Sequence, residues 1–491
     1  MVVRANYSLF FFFIQCFHVP LHNKIRTPYI MKHFFLTLGA LMMSAHLFAQ
    51  IFTTPGDGSE WTLTRLAQTE GSGVSLSSDG QHFIMSNDVT ISAPDRFVLE
   101  PGAVVAMAND VRFSILGPAV MEGGEAKALF CPVDDEAQPY GLWMEGEERV
   151  TLHNVAFNGA GLSAHVSGGM DITGCSFVNH NGRSASYALN MGPDKSDYHV
   201  WNCLFQNCVR SAMGSGANIS VSLLVEDCTF EYNGTSNGNY PQLNLTVGES
   251  VVLRRNAVIG DRSHTKVGGV VVANLMGLAG EHNTLFEDNI VKDNRFGIAT
   301  YLEQKATYRN NLIAFNDTET NPMQGGSGIN IYDPYASQEA RLEGNYIENN
   351  LWGVTIQGGK NVNLGKTEDP SAEDYNPGRN TFYNNGFDGA VYDLYNNSTN
   401  TVYAQGNYWK TALTQDEAGI EAVIFHKADD ATLGEVVYKP WSTEDQTAVE
   451  AVETSPSQPS EIYTAAGQKI TSLRKGLNIV KRGNKVVKVL N

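Results

Sequence analysis

The chain has 491 residues, with 34 Lys and Arg against 52 Asp and Glu, a formal charge of −18. A surface so acidic repels nucleic acid and bare polyanions, so neither is expected as a partner unless calcium reverses the sign locally. Only 18% of residues are charged, 47 are Gly, and Asn recurs in runs such as "YRNN", "ENN" and "LYNN"; this suits many short strands and turns, because Gly and Asn tolerate left-handed backbone at corners.

The first 49 residues read as targeting sequence. From Met31, "MKHFFLTLGALMMSAHLFAQ" has a basic start at Lys32 and His33, an apolar stretch, and a small residue, Ala49, ahead of Gln50. That pattern predicts a secretory signal peptide over residues 31–49. Residues 1–30 hold a short apolar run, "LFFFFI", with no cleavage signal, and read as a misassigned upstream extension. The run falls short of the ~18 apolar residues that cross a bilayer, so no transmembrane segment is expected in the mature chain. Loss of Arg4, Lys24, Arg26 and Lys32 with the leader takes the 34 basic residues to 30 against 52 acidic, or −22.

Beyond the leader one phrase keeps returning. With Cys175 of "TGCSFVNHNG" as register point, it recurs at Asn154, Cys203, Cys228, Asn256, Asn289, Asn311, Asn345, Asn380 and Asn407, at gaps of 21 to 35 residues. Two places on, the residue is large and apolar, as at Phe177, Phe205, Phe230, Ile313 and Trp409; three places before, so are Ile172, Val225, Phe286 and Leu342. Each unit carries a later strand opened by Gly, at Gly297, Gly328, Gly353 and Gly389. Three short strands per unit predict one coil of a parallel β-helix, with coils about 4.8 Å apart. An inward Asn at one corner of every coil would bond its amide to the Asn above and below and so satisfy a buried polar group.

Cys131, Cys175, Cys203, Cys208 and Cys228 follow the leader. Three of them occupy the register column on consecutive coils, where thiols serve as apolar filler. Their Cβ vectors run parallel, which disfavours a disulfide, so free stacked thiols are expected. The two columns before the register residue alternate in sign: Glu226, Arg254, Glu287, Arg309 and Glu343 in one, Asp227, Arg255 and Asp288 in the other. They predict a charge-zipped solvent face.

Three stretches carry a family resemblance. "DVTISAPDRFVLEPGAVVAMANDVRFSILGPAVMEG", with its Glu100-Pro101-Gly102 turn, looks like the opening coils of secreted right-handed β-helix proteins. Asn154 to Asn407 is similar to the parallel β-helix repeats of the pectin-lyase-like superfold, and "GNYWKTALTQDEAGIEAVIFHKADDATLGEVVYKPW" resembles the closing element of such domains, with Lys410 where Gly is usual. "STEDQTAVEAVETSPSQPS", at 442–460, reads as a flexible linker. Residues 461–491, with "IYTAAGQKI", "KGLNIV" and "NKVVKVL", resemble the C-terminal sorting domain of the type IX secretion system of Bacteroidetes; that resemblance implies the secretion machinery as a partner and display on or shedding from the cell surface. The expected fold class is therefore all-β: a right-handed single-stranded parallel β-helix over 50–441, then a small C-terminal β-sandwich-like domain.

Such a fold is a scaffold, and function must be argued from a site. The superfold hosts polysaccharide lyases, hydrolases, esterases and adhesins, but no complete catalytic motif of the polygalacturonase kind is found on the coils, and Asp134-Asp135 and Asp429-Asp430 lie outside the central face. "MGPDKSDYH" offers Asp194, Lys195, Asp197 and His199, with Asp194 and Asp197 as candidate ligands of calcium, the one cofactor the sequence suggests. The longest coils, from Asn311 and Asn345, must extrude loops, and loops on a rigid scaffold carry function. Tyr332, Asp333, Tyr335, Tyr392, Asp393 and Tyr395 are the candidate lining of a sugar cleft, aromatic faces stacking on pyranose rings while carboxylates accept hydrogen bonds from hydroxyl groups. The expected function is to bind or process extracellular polysaccharide; a non-catalytic adhesin or structural surface protein is the alternative.

Overall fold

A computed structural model describes residues 51–447 apart from 182, 184–186, 322 and 323, together with four strands between 461 and 490. The expectations for residues 1–30 and 31–49, and most of the linker at 442–460, fall outside the described residues.

Residues 51–442 wind as a parallel β-helix. Each coil gives one short strand to each of three fourteen-stranded sheets. The first sheet runs from Phe52–Thr53 to Ile424–Phe425, the second from Val74–Leu76 to Tyr408–Trp409, and the third from Glu60–Trp61 to Val436–Val437. Neighbours pair in parallel, except that Val74–Leu76 meets Phe83–Met85 antiparallel at the N-terminal end. Among the described residues no helix is long and apolar enough to cross a membrane.

Strand alternation sends every second side chain inward, so parallel in-register coils stack like on like. Phe130, Phe157, Phe177, Phe205 and Phe230 form one such column, fully buried, with ring centroids 4.6–5.4 Å apart and planes within 14°. Phe177, Phe205 and Phe230 are the residues two places past the register point. The column fixes the first expectation that needs correcting: Phe157 pairs with Phe177, which makes Val155 the neighbour of Cys175, and Asn154 sits one residue too early. Asn154 instead takes the left-handed corner at φ 52°. The same corner is taken by Asn202, Asp227, Arg255, Asp288 and Asn310, each just before its register residue.

The register column is an amide ladder. Asn256 Nδ2 donates to Asn289 Oδ1 at 3.1 Å, Asn289 to Asn311 at 2.9 Å, Asn311 to Asn345 at 2.9 Å, Asn345 to Asn380 at 2.8 Å, and Asn380 to Asn407 at 2.8 Å. All six are buried. Upstream, Cys175, Cys203 and Cys228 continue the column as free buried thiols, and the Cys228 N–H donates to Asn256 Oδ1 at 3.0 Å. Burial pushes the Cys175 and Cys203 thiols well above the usual range and Cys208 up to about 12. A thiol reagent at pH 8 is therefore expected to spare Cys175, Cys203, Cys208 and Cys228 in the folded protein and to label them after unfolding; rapid native labelling of all four would contradict the stacking.

A second ladder runs along another corner and was not foreseen. Asn233 donates to Gln242 at 2.9 Å, Gln242 to Asn294 at 2.9 Å, Asn294 to Asn316 at 3.2 Å, Asn316 to Asn350 at 3.0 Å, Asn350 to Asn385 at 3.0 Å, and Asn385 to Asp393 Oδ1 at 2.9 Å. The "NN" runs are thereby explained: Asn349 and Asn384 take the left-handed corner, and Asn350 and Asn385 turn inward.

Gly297, Gly328 and Gly353 open first-sheet strands where coil backbones approach closely. A Cβ on Gly353 would lie 2.2 Å from the Asp393 carbonyl oxygen, so no side chain fits. Gly389 does not belong to that column. It turns a two-stranded antiparallel hairpin, Gly386–Phe387 with Ala390–Val391, and Asp393 takes the column position opposite Gly353. The C-terminal unit is a single four-stranded antiparallel sheet of Glu461–Thr464, Lys469–Ile470, Leu477–Arg482 and Lys485–Leu490; the two layers of a sandwich are not both present among the described residues.

Candidate functional site

On the first sheet, Ile298, Ile329, Val354 and Leu394 point inward, so residues one place on lie on the outer side of the sheet, where Ala299 and Thr355 are nonetheless buried. Two outward columns result: Ala299, Asn330, Thr355, Tyr395 and Phe425, and beside it Tyr301, Tyr332 and Gln357. Tyr332 is 37% exposed and its ring lies 5.6 Å from that of Tyr301. Gln357 Nε2 donates to Asn330 Oδ1 at 3.4 Å. Burial pushes the Tyr301 phenol up, while the Arg295 charge and a hydrogen bond with Asn330 oppose that push.

Asp333 is fully buried, and its carboxylate does not face a ligand. It accepts the backbone N–H of Tyr335 at 3.1 Å, that of Ser337 at 2.5 Å, that of Gln338, and the Ser337 hydroxyl at 3.1 Å. Its role is to hold the turn that carries Tyr335, which is 78% exposed. The expectation that Asp333 accepts hydrogen bonds from sugar hydroxyls is thus replaced by a positioning role, because it already accepts those of its own turn.

Tyr392 and Tyr395 are brought together, but not as an open platform. Trp352 stacks on Tyr392 at 4.7 Å and on Tyr395 at 5.1 Å, and Phe425 meets both edge-on at 5.5 and 5.1 Å. With their faces covered by neighbours, these rings pack the closing coil rather than offer a stacking surface. Asp393 between them is fully buried, and burial pushes its carboxyl up to about 7 against the hydrogen bonds from Asn385 and Thr411.

Asp194 and Asp197 do not converge. Asp194 accepts the Ser220 N–H at 2.8 Å, and Asp197 is paired to Arg149 at 2.9 Å, which also grips Asp171 at 2.7 Å. Among the described residues no group of three or more His, Cys, Asp or Glu side chains is placed to hold a metal. His199 bonds Glu226 at 3.0 Å.

The charge columns form the zipper expected of them. Glu226, Arg254, Glu287, Arg309 and Glu343 stand opposite one another on successive third-sheet strands. Arg254 meets Glu226 at 2.6 Å, Arg255 meets Asp227 at 2.8 Å and Arg309 meets Glu287 at 2.8 Å. Burial pushes the Glu226 carboxyl up, but hydrogen bonds from Arg254, Arg255 and His199 hold it below the ordinary glutamate range.

The long excursion after Asn345 builds a cavity of about 490 Å³ on that third sheet, over Thr307, Arg341 and Asn363 and under Glu373 and Asp374. Asn376, fully buried, anchors the excursion by donating to the carbonyls of Leu342 and Asn363, both at 3.0 Å. Its walls carry both signs and no aromatic ring, and Arg341 is held by Glu343 at 2.9 Å.

The first-sheet face continues upstream to Trp143, which stacks on His165 at 4.4 Å and donates to Glu145 at 2.7 Å. His165 accepts from Asn190 at 3.2 Å, and burial pushes its imidazole below the usual range, which favours the neutral ring. From Trp143 to Gln357 is eight coil steps, about 40 Å at ~4.8 Å per step. Tyr301, Asn330 and Gln357 were missed in the sequence. The signal that finds them is the glycine column: Tyr301, Tyr332 and Gln357 each lie four residues after Gly297, Gly328 and Gly353.

Fold and face together define a parallel β-helix protein with a long, largely uncharged, aromatic-edged sheet surface. A family model described as a protein of unknown function, DUF1565, matches residues 228–415. Among solved structures, a double mutant of the periplasmic alginate epimerase AlgG is similar, at 11% identity and a TM-score of 0.48 over 78% of this chain and 83% of that one. No curated protein matches the chain.

Proposed function

We propose that the protein is exported to the cell surface and binds extracellular polysaccharide along the solvent face of its first sheet. The observation that carries this reading is the grouping of Tyr332 and Tyr335, both exposed, with Tyr301, Asn330 and Gln357 on adjacent coils. Tyrosine edges and amides at regular spacing suit a polymer of hydroxylated rings, because ring faces pack on C–H surfaces while amides bond hydroxyl groups. Binding is favoured over hydrolysis by the two candidate carboxylates themselves: Asp333 is saturated by its turn and Asp393 is sealed in the core. Export by a type IX route rests on the resemblance of residues 461–491 to its sorting domain.

Titration of the purified protein with a panel of neutral, carboxylated and sulfated polysaccharides tests the binding. Replacing both Tyr332 and Tyr335 by Ala is expected to weaken binding by tenfold or more, as loss of two aromatic contacts does. Tyr383→Ala, at an exposed tyrosine of the second sheet, is the control and should bind as the parent does. Failure of the whole panel to bind, or equal loss in the control, contradicts the reading. Deleting residues 461–491 should strand the protein inside the cell envelope, and unchanged surface display would refute the export route.

A further inference from the structure

Most of the described arginines meet a carboxylate, Arg96, Arg183 and Arg262 among them, whereas Arg65, Arg112, Arg210, Arg295 and Arg379 form no ion pair among the described residues. On or next to the third sheet, Arg149, Arg254, Arg255, Arg309 and Arg341 each meet a carboxylate. Arg210 and Arg295, at the upstream edge of the first sheet, meet none among the described residues. Arg210, Tyr240 and Arg295 each lie three residues before a paired first-sheet position, at Met213, Leu243 and Ile298. Arg210 lies 5.8 Å from the Tyr240 ring centroid.

Arg295 is the more constrained of the two. Its stem packs against Gly325, where a Cβ would lie 2.6 Å from the arginine Cγ, and its guanidinium sits 5.1 Å from the Phe296 ring centroid. One Nη donates to Asn239 Oδ1 at 2.7 Å, while Nε is buried with no acceptor. Glu319 lies within the field of the guanidinium but forms no ion pair with it; its carboxylate accepts the Asn321 N–H instead. Tyr301, at the heart of the sugar-binding face, feels the same charge. A partly buried cation without a counter-ion is costly. That cost is the more telling in a chain with 18 excess negative charges, where acidic partners abound.

We propose that Arg295 is a specificity-determining residue for an anionic group, carboxylate or sulfate, on the polysaccharide held beside Tyr301 and Tyr332. This deepens the binding reading above and rests on it. The guanidinium supplies the charge and planar donors that oxyanions prefer, and Arg210 extends the same edge toward the upstream coils. The net acidity of the chain sets its far field, whereas the guanidinium of Arg295 acts at close range.

The test compares the parent chain, Arg295→Gln, Arg295→Lys and, as control, Arg309→Gln. Each is titrated with polygalacturonate, dextran sulfate and dextran beside the wider panel, at low and high salt, and each is melted without ligand. Arg295→Gln is expected to weaken anionic polymers by about tenfold or more, with Arg295→Lys between it and the parent and Arg309→Gln unchanged. Its melting temperature should equal or exceed that of the parent, because a charge without a partner has been removed; a purely structural arginine would lower it. An Arg295-dependent preference for polygalacturonate alone identifies a carboxylate, and one for dextran sulfate alone a sulfate ester. Equal affinity of Arg295→Gln and parent, or binding confined to neutral polymers, overturns this inference and leaves the wider reading standing. Binding to nothing in the panel overturns both.

Discussion

Replacing Asn311 by Ala is expected to destabilise the β-helix by about 4 kcal/mol, read as a drop in the guanidinium unfolding midpoint. Asn311 is fully buried. Its Oδ1 accepts both the backbone N–H of Asn289 at 3.0 Å and the Asn289 side-chain amide at 2.9 Å. Its own amide donates to Asn345 Oδ1 and to the Phe286 carbonyl, both at 2.9 Å. Truncation therefore strands two donors and one carbonyl in a dry interior, and each buried polar group left unpaired costs roughly 1–3 kcal/mol. The loss should exceed that from Arg254→Ala in the zipper, because Glu226 keeps Arg255 and His199 as partners when Arg254 is removed. A drop at Asn311 no larger than at Arg254 would mean that the column is not a continuous ladder.

The second large effect is a dependence on pH set at Asp393. Burial pushes its carboxyl up to about 7, with hydrogen bonds from Asn385 and Thr411 pulling the other way. An unfolded Asp titrates near ~3.9. The native state thus holds the extra proton between these values, so the stabilising contribution is complete below the unfolded pKa and is lost as pH rises through about 7. A gap of about 3 pKa units is worth on the order of 4 kcal/mol. Asp393→Asn keeps the acceptor for the Asn385 amide and removes the titration. The difference in melting temperature between variant and parent should be small at pH 5 and should grow in favour of the variant toward pH 8. A difference that stays flat over that range, or that shrinks, contradicts the assignment.

The solenoid was legible because its information is periodic. Asn289, Asn311 and Asn345 repeat with an apolar residue at fixed offsets on both sides, and no globular core demands that. The stacked thiols and the alternating Glu226, Arg254, Glu287 column followed from the same registration. Where the register phrase was degenerate, the reading slipped. "NVAFN" begins with the asparagine of the left-handed corner, and only the Phe157 to Phe177 pairing shows that Val155 is the ladder position. The second ladder was hidden because its members stand beside corner asparagines of the same type, so Asn349 and Asn350 look alike in sequence while one turns out and the other in.

The candidate site was legible only in part. Long coil gaps pointed to loops, and the loops exist, but a gap does not say which sheet they overhang. The excursion after Asn345 shelters a charged third-sheet cavity, whereas the turn at Asp333 lifts Tyr335 beside the first sheet. Residue type misled at Asp333, Asp393, Tyr392 and Tyr395, since carboxylates and tyrosines that could meet a sugar can equally hold a turn, end a ladder or stack on Trp352. Strand parity resolves this, and parity depends on the hairpin at Gly389, which shifts the column without any change in composition.

Hydrogen exchange of the full chain with and without the tightest-binding polysaccharide of the panel tests the assignment of the face most directly. Added protection is expected along the first-sheet strands Ile298–Tyr301, Ser327–Asp333 and Trp352–Gly358 and in the turn that follows Asp333. Protection centred instead on the third-sheet strands Lys305–Arg309 and Glu339–Glu343, with the first sheet unchanged, would contradict it.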